Sequence, residues 1–246
     1  MKMYKKLLIL MLLLILACDP ICYAQEQGTW YVFTQLKYPG NWDPYPDVFG
    51  HIYYYLSNTT SLRIRPERRV VTLDDEILYY SPFILFTGTG MYPAFSEQQI
   101  LNLRRYIEGG GILLIDTAGN RDFSDCADRT IERVFPRQKY RKIPEDHAIF
   151  RAFYLVDYVS GRVINAPYLE GIYMNNKYVV IKCQNDLPGV WPRDSFGNWE
   201  SDLIPGRFSQ RKEAIKLTLN ILMYSVCGTY KNDPVHLPDI KRKLGR

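Results

Sequence analysis

Residues 82–116 constrain the fold of this chain most strongly, because they place one amphipathic helix pattern between two apolar runs. The runs, 82–87 and 112–116, are continuous, as expected of parallel strands that are covered on both faces. Between them, Ser96 is placed to cap a helix and Gln99 to complete a capping box. Three glycines at 109–111 end that helix. This order predicts a β-α-β unit, whose crossover is right-handed in nearly all proteins.

Strand and helix patterns alternate through most of the remaining chain. Residues 30–36 and 69–73 are rich in β-branched and aromatic residues and predict strands, with 62–64 a further short candidate. Apolar positions from Asp47 onward recur at helical spacing, and another helix is predicted to begin at Ser124. Residues 214–226 are apolar on most of a helix circumference, which predicts a buried helix. We therefore predict one doubly wound α/β domain over residues 25–230, with a mostly parallel sheet flanked by helices.

Two long segments have no regular hydrophobic period. Residues 136–170 predict an irregular excursion with one short strand, and 178–182 predict a strand after a hairpin turn at Asn175 and Asn176. Residues 184–208 are rich in Pro, Gly, Asp, Asn and Trp. We interpret this last segment as a long functional or lid-like loop.

The amino terminus has the pattern of a signal peptide. Lys2, Lys5 and Lys6 precede an apolar run at 7–17, which is shorter than the roughly 20 residues that cross a bilayer. An A-x-A-like site follows, so cleavage after Ala24 is predicted. The alternative is a lipobox in which Cys18 would be lipidated. We expect an exported domain, periplasmic or extracellular, that is soluble and has no transmembrane helix after processing.

The charge of the chain is concentrated at its two ends. The formal net charge is +5, but residues 25–230 hold 23 basic and 23 acidic residues, and the excess lies in the signal and in a basic tail at 231–246. A neutral domain argues against nucleic-acid binding, which requires a basic face on the fold. Any electrostatic partner would therefore engage the tail.

Cysteine and histidine are scarce, which limits metal and nucleophilic chemistry. Cys126, Cys183 and Cys227 remain after the predicted cleavage, which allows at most one disulfide. Cys183 and Cys227 end apolar patterns, and we interpret these two as small buried hydrophobic residues. Of the three histidines, His147 is the one in a plausible loop site. It could serve as a general base with Asp116 or Glu170, although a structural hydrogen-bonding role is the stronger interpretation.

In a doubly wound sheet, a ligand binds beyond the carboxyl ends of the strands. Three loops of this chain lie there, after residues 36, 87 and 116. Together with His147 they supply the predicted binding residues, which are Tyr38, Gly40, Trp42, Gly88, Gly90, Asp116, Asn120 and His147. The aromatic residues Trp42, Tyr45, Trp191 and Trp199 could stack on sugar rings, or could simply pack beneath the loops.

Neither a nucleotide nor a metal ion fits the spacing of these loops. Pro93 stands where a dinucleotide fingerprint needs its third glycine, so Gly88 and Gly90 are better explained by a tight turn. The carboxylates at 116, 122, 125 and 128 match no calcium-loop pattern, and arginines stand beside them. The sequence predicts no cofactor and no metal site.

Several short motifs together resemble the domain-of-unknown-function 4159 family. They are FTQLKY at 33–38, VVTLDD at 70–75, FTG at 86–88, LRRY at 103–106, GGG at 109–111, P-x-x-H at 144–147, LEG at 169–171 and NILMY at 220–224. The resemblance implies a flavodoxin-like fold similar to class I glutamine amidotransferases. It also implies envelope partners such as MoxR-type ATPases and von Willebrand A-domain proteins. The family has no established activity.

The amidotransferase comparison can be tested on the residues themselves. The nucleophile of those enzymes is a cysteine on a sharp turn directly after a buried strand. Here the corresponding turns read TGTG at 87–90 and DTAG at 116–119, and Cys126 stands ten residues beyond Asp116. Glutaminase chemistry is therefore not expected.

Three hypotheses remain. The first is an exported, non-catalytic domain that binds a ligand or protein partner at the predicted crevice. The second is an envelope hydrolase acting on a carbohydrate-type substrate, with Asp116 and His147 as its catalytic candidates. The third is a scaffold whose basic tail engages an acidic partner.

Overall fold

The computed structural model describes residues 30–227. The predicted signal peptide, the alternative lipidation site at Cys18 and the tail at 231–246 lie outside the described residues. Within residues 30–227, no helix combines the length and the apolar character that crossing a membrane requires.

Seven strands form one sheet. Their bounds are β1 (Thr34–Leu36), β2 (Arg69–Val71), β3 (Phe83–Thr87), β4 (Ile112–Asp116), β5 (Arg141–Lys142), β6 (Glu170–Met174) and β7 (Lys177–Cys183). The spatial order is β2-β1-β3-β4-β7-β6-β5. The first five strands in this order pair in parallel, and β6 and β5 add antiparallel at one edge. The predicted α/β class and mostly parallel sheet are confirmed, and the parallel part has the strand order of a flavodoxin-like fold.

Helices cover both faces of the sheet. They are α1 (Val48–Thr59), α2 (Glu97–Glu108), α3 (Arg121–Val134) and α4 (Gln210–Cys227). The buried residues of α1 and α4 belong to one apolar cluster, and those of α2 and α3 belong to another. The neighbouring β4 residues Leu113 and Leu114 contribute to opposite clusters, because side chains alternate between the two faces of a strand. The sheet is therefore buried on both faces, which explains why β3 and β4 are continuously apolar.

The β-α-β unit confirms its sequence prediction in detail. The Ser96 hydroxyl accepts a hydrogen bond from the Gln99 backbone N–H at 3.2 Å, and the Gln99 side chain accepts one from the Ser96 N–H at 3.0 Å. These reciprocal bonds are the predicted capping box. The hairpin turn between β6 and β7 is also confirmed, since Asn175 and Asn176 have φ values of 50° and 61°.

Several predicted element boundaries were wrong. The first strand, predicted at 30–36, is observed only at Thr34–Leu36. Helix α3 begins at Arg121 rather than Ser124, because the Asn120 side chain accepts a hydrogen bond from the Phe123 N–H at 2.9 Å and so caps the helix about one turn earlier. The strand predicted at 62–64 is reduced to one bridge between Ile64 and Tyr31. Pro66 stands two residues after Ile64, and proline donates no ladder hydrogen bond.

Two predictions about burial were also wrong. The segment 184–208, interpreted as a functional or lid-like loop, contains seven consecutive buried residues at 185–191, which include the short 3-10 turn Pro188–Val190. Leu187, Val190 and Trp191 belong to the apolar core, so this part cannot open as a lid. Cys183 is buried as predicted, and Cys126 is buried too, but Cys227 is exposed because it is the last residue of α4.

Candidate functional site

The carboxyl ends of the parallel strands meet at one edge of the sheet. Thr87 of β3 pairs with Asp116 of β4, and Asp116 pairs with Cys183 of β7. The chain runs from β1 outward to β2 and then returns to β3 on the other side of β1. The switch point of the topology therefore lies between β1 and β3, where doubly wound folds bind their ligands.

This switch point is closed by the chain itself. The Tyr38 hydroxyl, from the loop after β1, donates to the backbone oxygen of Thr87 at 3.1 Å. Asn41 forms an antiparallel bridge with Thr89, which joins the loop after β1 to the loop after β3. A Cβ atom on Gly88 would lie 1.8 Å from the Tyr38 hydroxyl. Tyr38 and Gly88 are therefore brought together as predicted, but they contact each other.

The Tyr38 ring is held in an aromatic cluster. It contacts Phe86, Tyr92, Phe95 and Phe123, with ring centroids 4.7–6.5 Å apart. Burial is the main cause that raises the pKa of Tyr38 well above its usual value, so the phenol stays protonated. The Tyr38 side chain therefore fills the space at the carboxyl end of β3.

Gly90 and Asn120 are likewise joined by a hydrogen bond. The Gly90 N–H donates to the Asn120 side-chain oxygen at 2.9 Å, and the same oxygen caps α3. Gly40 lies close to Tyr38 with a φ of 149°. Trp42 is half-buried, with the cations of Lys37 and Arg68 5.9 and 5.6 Å from its ring. Gly90 and Asn120 therefore link two loops, whereas Gly40 and Trp42 contact neighbouring side chains.

Asp116 is fully buried and holds two backbone groups. Its Oδ1 accepts from the Ala118 N–H and its Oδ2 from the Leu187 N–H, each at 2.9 Å. Burial, with a smaller contribution from the nearby Asp186 carboxylate, raises the pKa of Asp116 to about 7. The side chain fixes the start of the buried loop after β7.

Asp186 organises the same loop, and sequence analysis missed it. It is fully buried, has a φ of 57°, and accepts hydrogen bonds from the Tyr45 hydroxyl at 2.7 Å and the Gly189 N–H at 3.0 Å. It also forms an ion pair with Arg162. A Cβ on Gly189 would lie 2.3 Å from the Asp186 carboxylate, so the glycine permits this approach. The Asp-Leu-Pro-Gly sequence was the available signal for such a turn.

His147 lies elsewhere. Its Nδ1 accepts from the Ile149 N–H at 3.2 Å and caps the 3-10 turn Ala148–Arg151. Its ring packs edge-on against Tyr178 and Tyr224, with centroids 5.0 and 5.5 Å away, and burial lowers the pKa of His147 to about 4. These contacts fit the structural interpretation of this histidine.

The placement of His147 separates it from Asp116. Tyr178 stands near the start of β7 and Cys183, beside Asp116, at its end. Five residues of strand span about 16 Å. The predicted catalytic pair is therefore not brought together, since a base and its partner act within hydrogen-bond reach.

Three of the four acidic residues considered as calcium ligands have a cation or backbone N–H groups as partners, and Asp116 is the one held by the backbone. Asp128 pairs with Lys182 at 2.7 Å, and Asp125 lies 4.0 Å from Arg121. In the described part of the chain, no three His, Cys, Asp or Glu side chains cluster in a way that could hold a metal ion.

An open aromatic cleft lies between α1 and the segment 191–199, and its lining includes none of the binding residues predicted at the sheet edge. Its volume is about 450 Å³, within the range of small-molecule sites. We call it the aromatic cleft, and its lining residues are His51, Tyr54, Tyr55, Asn58, Thr59, Trp191, Arg193 and Trp199.

Helix α1 supplies one wall of the aromatic cleft. His51, Tyr54, Tyr55 and Asn58 recur at helical spacing and form a stripe beside the buried positions of the helix. Tyr54 is 66% exposed, so its ring is open to a ligand. The sequence analysis considered only the apolar stripe of this helix, although the spacing of these four residues also indicates a second stripe.

The other wall carries two tryptophans. Trp191 is fully buried and meets Tyr55 edge-on with centroids 5.4 Å apart, and its indole N–H has no hydrogen-bond partner among the described residues. Trp199 is partly exposed, and the guanidinium groups of Arg193 and Arg211 lie 3.6 and 4.4 Å from its ring centroid. Trp191 and Trp199 were among the predicted stacking residues.

Comparison with known proteins bears on the whole domain. The family model described as Domain of unknown function (DUF4159) matches residues 32–226, nearly all of the described chain, so the protein belongs to this family. The resemblance inferred from the sequence motifs is confirmed. No match was found among curated proteins.

Proposed function

We propose that this member of the DUF4159 family is an exported, non-catalytic domain that binds a ring-shaped polar ligand, such as a saccharide, in the aromatic cleft. This moves the site of the leading sequence hypothesis from the sheet edge to the space between α1 and residues 191–199. The proposal is carried by one observation. The sheet edge is filled by the chain's own side chains, whereas the aromatic cleft is open and lined by hydrogen-bonding and aromatic groups.

The chemistry of the cleft suits a saccharide. Sugar rings present apolar C–H faces that pack on aromatic side chains and hydroxyl groups that need directional partners. Tyr54 offers an exposed ring. Asn58 uses its side-chain N–H on the Tyr54 backbone oxygen at 2.6 Å, which leaves its Oδ1 to accept from a hydroxyl.

The non-catalytic character is supported by what Asp116 and His147 do. Asp116 is buried, and each of its carboxylate oxygens accepts a hydrogen bond from a backbone N–H group. His147 caps a turn near the opposite end of β7. A catalytic acid or base must reach substrate. The structural roles of these two residues favour binding over hydrolysis.

Export is supported by the sequence alone. The three early lysines, the short apolar run and the small-residue site ending at Ala24 form the pattern of a cleaved signal peptide. A ligand met outside the cytoplasm, such as an envelope saccharide, is consistent with this pattern.

The proposal is tested by identifying what the protein carries. Protein purified from its native compartment is analysed by untargeted mass spectrometry, as wild type, Tyr54→Ala and Tyr80→Ala. Tyr80 is a matched control because its ring is 80% exposed and lies away from the aromatic cleft. We expect a saccharide-type species with wild type and Tyr80→Ala, and its loss with Tyr54→Ala. A species that survives Tyr54→Ala but is lost in Trp42→Ala would return the site to the sheet edge.

A further inference from the structure

We infer that the aromatic cleft takes an acidic saccharide, whose carboxylate is bound by Arg193 beside Trp199. This inference rests on the proposed function and specifies the chemical class of the ligand. It follows from two guanidinium groups that the fold holds on one aromatic ring, with no carboxylate of residues 30–227 within ion-pair distance of either.

Arg193 and Arg211 share one aromatic ring. Their guanidinium carbons lie 3.6 and 4.4 Å from the centroid of the Trp199 ring. Such stacking favours a cation over an aromatic face and fixes the plane of the guanidinium. Two like charges are thereby held close together, which is unfavourable unless an anion compensates them.

Neither arginine has a carboxylate within ion-pair distance in the described range 30–227, although four other arginines do. Arg211 donates to the backbone oxygens of Val190 and Ser201, which fixes its position. Burial and the neighbouring Arg193 lower the pKa of Arg211, and these two effects outweigh the opposing effect of the Asp202 carboxylate. The two cations are therefore only partly compensated.

Arg193 is the member of the pair that lines the aromatic cleft. Its only hydrogen bond to a described residue goes from Nη1 to the Gly197 backbone oxygen at 2.7 Å. A guanidinium has five N–H donors, so several remain for a ligand. A carboxylate can accept two of them in a planar, bidentate arrangement.

The surroundings favour a singly charged anion over a phosphate. Asp194 and Glu200 are exposed on the same segment, so the rim of the cleft carries both signs of charge. The Asp194 side chain is turned inward to its own loop, where it accepts from the N–H groups of Phe196 and Asn198 at 2.9 and 2.8 Å. These carboxylates would repel a dianion more strongly than a sugar carboxylate.

The test compares saccharides that differ in one carboxylate. The probes for isothermal titration calorimetry are the β-1,4 disaccharide of N-acetylglucosamine and N-acetylmuramic acid, and the neutral disaccharide of N-acetylglucosamine. A second pair is a glucuronic acid oligomer and the matching glucose oligomer. We expect at least one acidic probe to bind about tenfold or more tightly than its neutral match at low salt, since hydrogen bonds to charged groups are the stronger ones.

Variants assign the preference to Arg193. Arg193→Gln should reduce the affinity for the acidic probe to that of its neutral match, and Arg193→Lys should restore part of it. Arg65→Gln is the matched control, because Arg65 stacks on Trp30 at 4.9 Å outside the aromatic cleft and should leave binding unchanged. Melting temperatures of the three variants close to wild type verify that they fold.

The outcomes separate this inference from the proposed function. Equal binding of acidic and neutral probes that is lost in Tyr54→Ala would overturn the acidic ligand and leave the saccharide site standing. Binding of none of the four probes, or tighter binding of a sugar phosphate than of either acidic probe, would also overturn the inference. A preference that survives Arg193→Gln would overturn the role of Arg193.

Discussion

Asp116 Oδ2 accepts a hydrogen bond from the Leu187 N–H at 2.9 Å, and this bond ties the end of β4 to the buried loop that follows β7. Both residues are fully or almost fully buried. A carboxyl group at this position titrates in an environment that disfavours its charged form. This bond fixes the beginning of the loop that contributes Trp191 to a wall of the aromatic cleft.

The first prediction concerns the pH dependence of stability through Asp116. Its pKa is about 7 in the folded protein, against 3.8 for the unperturbed group. The folded state therefore retains a proton that the unfolded state loses, so the contribution of Asp116 to the free energy of unfolding should fall as pH rises from about 4 to about 7, by on the order of a few kcal/mol. Asp116→Asn should remove this fall, as measured by urea denaturation from pH 4.5 to 8.5. An unchanged pH profile in the variant would contradict the assignment.

His147 should act in the opposite direction. Its pKa is lowered from 6.5 to about 4 on folding, so its contribution to stability is present above pH 6.5 and lost as pH falls toward 4. His147→Asn should abolish this contribution while keeping a side-chain acceptor for the Ile149 N–H. The variant should also lose roughly 1–3 kcal/mol at pH 8, because its contacts with the Tyr178 and Tyr224 rings are gone.

One experiment can separate the effect of Asp116 on the pH dependence of stability from the effect of His147. The double variant of Asp116→Asn and His147→Asn should have a flatter free energy of unfolding between pH 4.5 and 7 than either single variant. A double variant as steep as either single variant would mean that other groups dominate the profile in this range.

Signal processing gives a prediction independent of the fold. Expression of the full chain in a secreting host should yield a mature protein that begins at Gln25, because the small-residue site ends at Ala24. Intact-mass analysis measures this directly, and replacing Ala24 with a bulky residue should block the cleavage. A product that begins at a lipid-modified Cys18 would favour the alternative.

The cysteines should differ sharply in reactivity. Cys227 is exposed, whereas Cys126 and Cys183 are buried, and burial raises the pKa of the Cys183 thiol well above its usual value. Since the thiolate is the reactive form, a thiol reagent should label Cys227 alone in the native mature protein. All three cysteines should react after unfolding in guanidinium, and Cys227→Ser should abolish the native signal. Native labelling of Cys183 would contradict its burial.

Sequence analysis succeeded where the determining contacts are local. The capping box of Ser96 and Gln99 and the hairpin turn at Asn175 and Asn176 involve residues at most three positions apart, and the structure contains both. The continuous apolar runs gave β3 and β4 because parallel strands are covered on both faces.

It failed where the partner is distant in sequence. Gly88 was predicted to bind a ligand. In the structure, the absence of a side chain at Gly88 makes room for the hydroxyl of Tyr38, which is fifty residues away in sequence. A glycine pattern shows that something approaches the backbone closely and does not show what. The aromatic cleft was missed for the same reason, since its walls come from α1 and from the segment around Trp191.

The role of Gly88 leads to the last prediction. Gly88→Ala should destabilise the protein by more than about 2 kcal/mol, because the new methyl group would lie 1.8 Å from the Tyr38 hydroxyl and 2.4 Å from the Asn41 backbone oxygen. Gly50→Ala is the matched control. Gly50 lies within α1, where an added Cβ meets no described atom within 4 Å, so alanine should raise stability by about 0.5–1 kcal/mol through helix propensity.

Chemical denaturation of the two glycine variants measures both effects. Adding Tyr38→Phe to Gly88→Ala should recover part of the lost stability, because it removes the closest atom of the clash. If Gly88 instead serves a ligand, Gly88→Ala would leave stability unchanged and reduce ligand retention. If Gly88→Ala is destabilising and Tyr38→Phe restores part of the stability, the glycine is needed to make room for the Tyr38 side chain.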